Sequence, residues 1–233
     1  MRSTSYIEKR GELETYFDRT AADAWAKLTS DAPVSGVRAT VRAGRDAMRN
    51  TLLGWLPRDL TGRRILDAGC GAGQLSIEAA RRGADVVAVD LSSTLLDLAR
   101  ERYGAQSYAG TINFLSGDMF DEDLGQFDHI VAMDSLIHYH APDIVRVLEG
   151  FSARTTHSIV FTVAPKTALL SAMHGVGKLF PKGDRSPAIA PVSDKKLRTE
   201  IAASPALKSW RIGRAQQIKS GFYISNAMEI AAR

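Results

Sequence analysis

The chain has 233 residues, of which 45% are hydrophobic, so it is long enough for one α/β domain with an added segment. Its single cysteine, Cys70, excludes a disulfide framework within the chain and indicates a reducing, cytoplasmic compartment. The N-terminus lacks the apolar core of a secretion signal, no apolar stretch reaches bilayer length, and a net charge of +4 is too small to identify a partner, so we expect a soluble or peripheral protein.

The first part of the chain is predicted to be helical. Apolar residues recur at helical spacing within residues 12–28, and again from residue 34 up to Pro57, which ends the second helix. Residues 1–58 are therefore interpreted as an N-terminal helical segment that precedes the main domain.

Strands and helices alternate in the main domain, residues 59–233. Its first five strands are apolar throughout, which is typical of a parallel sheet covered by helices on both faces. A segment around residues 165–192 is interrupted by Gly and Pro and is interpreted as an insertion. Two further strands then form an antiparallel hairpin with its turn at Ser220-Gly221. The five predicted strands are 63–69, 84–90, 112–118, 127–134 and 157–165.

A glycine-rich turn, LDAGCGAG, follows the first strand. Gly69, Gly71 and Gly73 are not followed by the Lys and hydroxyl of a P-loop, and their spacing differs from that of a dinucleotide fold. Asp67 lies just before the turn, where a carboxylate would repel a pyrophosphate but suit an ammonium or sulfonium group. Backbone N–H groups at the next helix N-terminus would bind a carboxylate. The amino acid end of S-adenosylmethionine has all of these groups.

This motif resembles the first motif of class I S-adenosylmethionine-dependent methyltransferases, an acidic residue followed by G-x-G-x-G. The resemblance implies a Rossmann-like fold in which Asp90 accepts the ribose hydroxyls, Asp118 meets the adenine amino group and Met119 packs on the ring. A helix cap at Asp90 and a turn residue at Asp118 are the alternatives, but three acids at three strand ends favour a bound ligand. The predicted cofactor contacts are Asp67, Gly69, Gly71, Gly73, Asp90, Leu91, Asp118, Met119 and Met133.

Longer stretches resemble the magnesium-protoporphyrin IX methyltransferases of (bacterio)chlorophyll biosynthesis. They include YFDRTAADAWAKL, MDSLIHY, APKT and LFPKGDRSP, and the likeness runs from about residue 14 to the last strand. It implies methyl transfer from S-adenosylmethionine to a propionate carboxylate of a Mg-porphyrin, giving a monomethyl ester. Such a carboxylate is already ionised, so the enzyme mainly has to align the reacting atoms and exclude water. No protein-bound metal is implied, because the magnesium belongs to the substrate.

The resemblance also implies roles for residues around the acceptor. His138 follows the fourth strand, where the methyl group emerges in this class, and is predicted to orient the carboxylate in preference to contacting the porphyrin magnesium or capping a helix. Tyr16 is predicted to close over the sulfonium or the porphyrin. The second helix carries an arginine stripe, Arg38, Arg42, Arg45 and Arg49, which suits anionic propionates or lipid. A solvated face explains at least two of its members, and Arg42 is the predicted contact. The predicted substrate contacts are Trp25, Arg42, Tyr139, Lys182 and Arg185.

On this interpretation residues 1–58 are a helical lid and substrate-binding segment, and residues 59–233 are the methyltransferase domain with a substrate-binding insertion around 165–192. Three other functions stay open: methylation of another small apolar acceptor such as a quinone precursor, sensing of S-adenosylmethionine without turnover, and RNA modification. We expect no nucleic acid partner, because the fourth strand is not followed by an Asn/Asp-Pro-Pro-aromatic run. The resemblance further implies delivery by a magnesium chelatase subunit, and peripheral contact with the photosynthetic membrane stays open.

Overall fold

Two helices precede the sheet in the computed structural model, which describes residues 3–19, 36–104, 106–166 and 188–233. Helix α1 spans Thr4–Arg19 and helix α2 spans Val37–Trp55. Helix α1 begins earlier than its apolar pattern predicted, because hydrogen bonds to acidic residues of the main domain hold its polar first turns. The use of residues 1–58 as a lid stays a prediction.

Seven strands of the described residues form one sheet in the order β3-β2-β1-β4-β5-β7-β6. The first five are parallel to one another, and β7 is antiparallel to both β5 and β6, so β6 runs in the direction of β5. The prediction of a mostly parallel sheet with an antiparallel C-terminal hairpin is confirmed. The strands are β1 Arg64–Ala68, β2 Asp85–Asp90, β3 Thr111–Ser116, β4 Phe127–Ala132, β5 Thr155–Val163, β6 Trp210–Ser220 and β7 Tyr223–Ala232.

Helices follow the strands along the chain and cover the sheet. The Ser92 side chain accepts a hydrogen bond from the Leu95 N–H group and so caps α4. Helix α3 begins at Gln74, because Gly73 still has the left-handed conformation of the turn. The helices of the main domain are α3 Gln74–Arg81, α4 Ser93–Tyr103, α5 Ala141–Ser152 and α6 Asp194–Ala203, and a short 3₁₀ turn spans Leu136–His138.

Alternate residues of the strands face two apolar layers. In β1, Ile65 faces the layer that contains Met48 and Leu52 of α2, whereas Leu66 faces the layer that contains Ile144 of α5. All five side chains are fully buried. Helix α2 is therefore part of the core on one face of the sheet, and its orientation is fixed by packing.

Helix α2 approaches β7 closely at Gly44. A Cβ atom at this position would lie 2.6 Å from the Tyr223 ring, whereas a Cβ at Gly54, in the same helix, would meet nothing within 4 Å. We expect Gly44→Ala to lower the free energy of unfolding by about 1–3 kcal/mol through overpacking. Gly54→Ala should raise it by up to about 1 kcal/mol through helix propensity. Urea unfolding of both variants measures this, and a change of the same sign in both would contradict the steric explanation.

Candidate active site

A cavity of about 300 Å³ lies at the carboxyl ends of the parallel strands. Its walls come from the glycine turn after β1, from the segments that follow β2, β3 and β4, from α1 and α2, and from the start of β7. The loops after β1 and β4 diverge here, and this is where open α/β sheets bind their ligands. The cavity therefore lies beside the glycine turn that follows the first strand.

The glycine turn brings the main chain to the cavity wall. Gly69 has φ +85°, and a Cβ atom there would lie 2.5 Å from Cβ of Ser135. The N–H groups of Gly69 and Cys70 donate to the Val89 carbonyl at 2.8 and 3.0 Å, which ties the turn to the end of β2. The Ser135 hydroxyl is buried beside the turn and has no hydrogen-bond partner among the described residues. The turn thus needs glycine at its first position and leaves a polar group for a ligand to satisfy.

Asp67 is a buried acid at the base of this turn. It lines the cavity, and its Oδ2 accepts a hydrogen bond from the Ser76 hydroxyl at 2.6 Å. Burial raises the pKa of Asp67 to about 7, although the Ser76 hydrogen bond opposes the shift. A positive charge beside the carboxylate would lower the pKa again, so this acid suits a cationic ligand.

Asp90 ends β2 and also lines the cavity, as does Leu91. Its Oδ2 accepts from the Gly71 N–H group at 2.7 Å and its Oδ1 from the Ser92 N–H group at 2.9 Å. Burial raises the pKa of Asp90, and these two hydrogen bonds oppose the shift. The side chain that caps α4 is Ser92, so Asp90 is not the helix cap. Its two hydrogen bonds instead connect the glycine turn to the start of the helix.

Asp118 is placed differently from the other two acids. It is buried, but it does not line the cavity, although Gly117 and Met119 on either side of it do. Its carboxylate accepts hydrogen bonds from the Tyr6 hydroxyl at 2.8 Å and from Arg10 Nη1 at 3.0 Å. The predicted contact between Asp118 and adenine therefore stays a prediction.

Tyr6 of α1 is a wall residue that the sequence analysis missed. Its buried ring stacks on Tyr139 with centroids 5.0 Å apart and meets the edge of Phe120 at 4.9 Å. Tyr6, Leu13 and Phe17 are spaced at i, i+7 and i+11, which places them on one face of α1, and all three line the cavity. That spacing is the signal that could have identified Tyr6.

The two neighbouring aromatic residues Tyr16 and Phe17 lie differently relative to the cavity. Phe17 lines the cavity, and its ring lies 6.1 Å from the His138 ring. Tyr16 is half-buried, meets the edge of Phe17 at 5.2 Å and is not a wall residue. The catalytic role predicted for Tyr16 stays a prediction.

His138 lies at the end of the 3₁₀ turn after β4 and lines the cavity, as does its neighbour Tyr139. Its Nδ1 lies 3.4 Å from the Ala188 carbonyl oxygen. Burial lowers the pKa of His138, and the Ala188 contact opposes the shift. The imidazole is therefore neutral at pH 7.

The arginine stripe of α2 presents two of its four members to the cavity. Arg45 and Arg49 line the wall, whereas Arg42 does not. Arg45 pairs with Asp134 at 2.6 Å, and Arg49 pairs with Asp46 of its own helix at 2.9 Å. Met133, a predicted cofactor contact, also lines the cavity. Three of the predicted substrate contacts lie outside the described residues: Trp25, Lys182 and Arg185.

Within the described ranges, no group of three or more His, Cys, Asp or Glu side chains is placed to hold a metal ion. None of the helices in the same part of the chain is both long and apolar enough to cross a bilayer.

The strand order, the glycine turn and the acids at the ends of β1 and β2 define a class I S-adenosylmethionine-dependent methyltransferase. In agreement, residues 65–156 match a family model described as a methyltransferase domain. Residues 132–232 match a second model, described as the C-terminus of magnesium-protoporphyrin IX methyltransferase.

Full-length relatives narrow the class to one family. The chain is 53% identical to magnesium-protoporphyrin O-methyltransferase of Rhodobacter capsulatus, over 97% of this chain and 98% of the relative. The enzyme of the same name from Synechocystis is 26% identical over 96% of both chains. A crystal structure of the Synechocystis magnesium protoporphyrin IX methyltransferase with bound SAH covers 96% of this chain and all of that chain, with 25% identity and a TM-score of 0.82. The chain belongs to the magnesium-protoporphyrin O-methyltransferase family.

Proposed function

We propose that this protein transfers a methyl group from S-adenosylmethionine to one propionate carboxylate of Mg-protoporphyrin IX and so forms the monomethyl ester of (bacterio)chlorophyll biosynthesis. The near-full-length identity of 53% with the Rhodobacter capsulatus enzyme carries this assignment. A cavity between the glycine turn and His138 agrees with it. This evidence favours the porphyrin ester over a quinone precursor.

The residues at the β1 and β2 ends fit the methyl donor. Asp67 would face its ammonium group, the N–H groups at the N-terminus of α3 its carboxylate, and Asp90 its ribose hydroxyls. Leu91, Met119 and Met133 provide apolar wall for the remainder, and Asp118 is proposed for the adenine amino group. The close approach at Gly69 and the unpaired Ser135 hydroxyl support this fit.

The bound donor supplies an electrophilic methyl group on a sulfonium. A propionate oxygen lone pair forms the new C–O bond as the S–CH₃ bond breaks, and the bonding pair stays on sulfur. A propionate has a pKa close to that of a glutamate side chain, about 4.3, so it is already ionised at neutral pH and needs no general base. Opposite charges are neutralised in this step, so the buried walls favour it by excluding water. The protein therefore has to orient the acceptor oxygen.

His138 is proposed to act on the acceptor in one of two ways. To orient the propionate as a donor through Nε2, the neutral imidazole has to take up a proton or change tautomer, because Nδ1 faces the Ala188 carbonyl. With Nδ1–H directed at that carbonyl, the Nε2 lone pair could instead contact the porphyrin magnesium without any change. Metal-binding histidines commonly donate their other N–H to a carbonyl in this way. The geometry thus supports the magnesium contact, which the sequence analysis ranked second.

A direct assay tests the proposed function. We expect Mg-protoporphyrin IX to perturb its Soret band on binding, and S-adenosylmethionine to convert it into a product heavier by one methyl group. Mg-protoporphyrin dimethyl ester, which lacks both carboxylates, is the matched control and should not react. Methylation of a quinone precursor with no reaction of the porphyrin would contradict the proposal.

Contact with an anionic membrane surface is a separate proposal. Val37 and Phe222 are 52% and 53% exposed. They lie near each other, because the Gly221 turn contacts Thr40, one turn of α2 after Val37. Exposed Arg38 completes a basic and apolar patch. Sedimentation with anionic vesicles measures this contact, and equal sedimentation of Phe222→Ser would contradict it.

A magnesium chelatase subunit is also proposed as the porphyrin donor, on the family resemblance alone.

A further inference from the structure

Asp134 is the centre of a hydrogen-bonded group inside the cavity. Its Oδ2 accepts from Arg45 Nη1 at 2.6 Å, and its Oδ1 accepts from the Tyr223 hydroxyl at 2.9 Å. Its own N–H group donates to the Thr162 hydroxyl at 2.7 Å. Four elements meet here, since Arg45 belongs to α2, Tyr223 to β7 and Thr162 to β5, while Asp134 follows β4. We call Arg45, Asp134 and Tyr223 the arginine clamp.

Backbone strain accompanies this group. Asp134 has φ +55°, and it is the only residue other than glycine with positive φ in the described ranges. Such a conformation costs free energy and persists where its surroundings over-determine it, commonly at ligand sites. Here the Thr162 hydrogen bond holds the main chain, and the carboxylate is turned towards Arg45 and Tyr223.

The arginine clamp faces the ligand cavity, and its Arg45 is one of the cationic side chains of the described wall. All three of its members line the wall, and the Arg45 and Asp134 side chains are only 18% and 7% exposed. Of the described wall residues, three are acids, Asp67, Asp90 and Asp134, whereas only Arg45 and Arg49 are permanently cationic. An anionic ligand would therefore be repelled unless an arginine meets it. A guanidinium has five N–H donors and can hold two carboxylates at once.

A purely structural role, fastening α2 to the sheet, is the simplest alternative. However, the side chains of Met48, Leu52 and Leu53 already anchor α2 in the core, since all three are fully buried. Away from the cavity, Arg214 of β6 pairs with buried Glu229 and donates to the Trp55 carbonyl at 2.7 Å, which fixes the end of the helix. The attachment of α2 therefore does not depend on an ion pair in the ligand cavity.

We infer that Arg45 binds a carboxylate group of a ligand in the cavity, and that Asp134 and Tyr223 position its guanidinium for this purpose. The inference rests on the proposed function for its two carboxylate sources, the methionine end of the methyl donor and a propionate of the porphyrin. Asp134 holds the guanidinium group in place through one hydrogen bond, and the Tyr223 hydroxyl holds the Asp134 carboxylate. Arg45 is thus a binding residue, and the other two are positioning residues.

Matched ligands with and without carboxylates test the inference in Arg45→Met. Calorimetry compares S-adenosylmethionine with its decarboxylated form, and Soret titration compares the diacid, monomethyl ester and dimethyl ester of Mg-protoporphyrin. We expect affinity to fall about 10- to 100-fold for the ligands that carry the bound carboxylate and to stay unchanged for those that lack it. Loss for the donor alone identifies the methionine carboxylate. Loss for the diacid and monoester identifies the unreacted propionate, and loss for the diacid alone identifies the reacting one.

Further variants separate binding from folding. Tyr223→Phe should lower affinity for the same ligands by a smaller factor, because Arg45 stays but Asp134 loses a donor. Arg214→Met removes an arginine from a comparable ion pair outside the cavity and should lower stability without any dependence on ligand carboxylates. Arg45→Met leaves the buried Asp134 carboxylate without its cation and could unfold the protein for that reason. The double variant Arg45→Met/Asp134→Asn removes this unpaired charge and allows the same binding measurements.

Two results would overturn the inference: equal losses for ligands with and without carboxylates, or no loss for any of them. A failure of the proposed function is distinguishable from this. If the wild-type protein forms no methyl ester, the proposed function fails, while the comparison of S-adenosylmethionine with its decarboxylated form still tests Arg45.

Discussion

Replacing His138 by alanine is expected to lower kcat for methyl transfer about 10²-fold, the usual effect of removing one group that acts on the reacting centre. His138 is buried in the cavity wall beside Phe17, at the end of the 3₁₀ turn that follows β4. An acceptor must approach the methyl donor from this part of the cavity. Affinity for S-adenosylmethionine should stay within about twofold, because His138 is not one of the proposed donor contacts. Steady-state kinetics with a parallel binding measurement checks both expectations.

His140→Ala is the matched control for this variant. His140 lies two residues further on, is exposed and makes no side-chain capping hydrogen bond to α5. It should retain wild-type kcat. Full activity of His138→Ala would remove His138 from the site. The Soret shift separates the two proposed roles, because a contact with magnesium predicts loss of the shift for Mg-protoporphyrin and no change for the metal-free porphyrin. An orienting donor predicts equal effects on both.

Asp90→Ala is expected to weaken S-adenosylmethionine binding about 10²-fold. Two ribose hydroxyls donating to one carboxylate form charge-assisted hydrogen bonds of about 1.5–3 kcal/mol each, and part of this is regained from water. The variant also removes the acceptor for the Gly71 N–H group, so the glycine turn loses a tie to β2. Calorimetry with the methyl donor measures the loss, and unchanged affinity would refute the assignment of Asp90 to the ribose.

Two further variants make the Asp90 measurement specific. Asp90→Asn keeps one oxygen acceptor without the charge and should lie between alanine and wild type. Asp85→Ala removes an acid from the opposite end of the same strand, where the side chain is 57% exposed. It should bind the donor normally. A similar loss in Asp85→Ala would mean that β2 is merely destabilised.

The sheet and the cofactor side of the site could be predicted because their signals are local. Continuous apolar runs identify buried parallel strands, and a glycine turn after an acid identifies a ligand at the first strand end. Asp67 and Asp90, which were found from these local signals, both lie on the cavity wall. The role of Asp118 was less predictable, because its carboxylate meets Tyr6 and Arg10 of a helix that the sequence pattern only partly revealed.

The arginine clamp could not be predicted from spacing. Arg45 and Tyr223 each lie 89 residues from Asp134 along the chain, on opposite sides of it. The arginine stripe was visible, but which members reach the cavity depends on the rotation of α2. The contact of Gly44 with Tyr223 helps to set that rotation, and it brings Arg45 and Arg49 to the wall rather than Arg42.

Asp67 can take up a proton when no ligand is bound beside it. Burial holds the pKa of this acid at about 7. Near neutrality, this carboxyl is therefore partly protonated in the ligand-free protein. A cationic ligand beside the carboxylate stabilises its ionised form, so the proton leaves as the ligand enters. If Asp67 faces the methyl donor as proposed, we expect affinity for the donor to rise as the pH increases through 7 and to fall below it, and each cycle of uptake and release to exchange a proton with the solution.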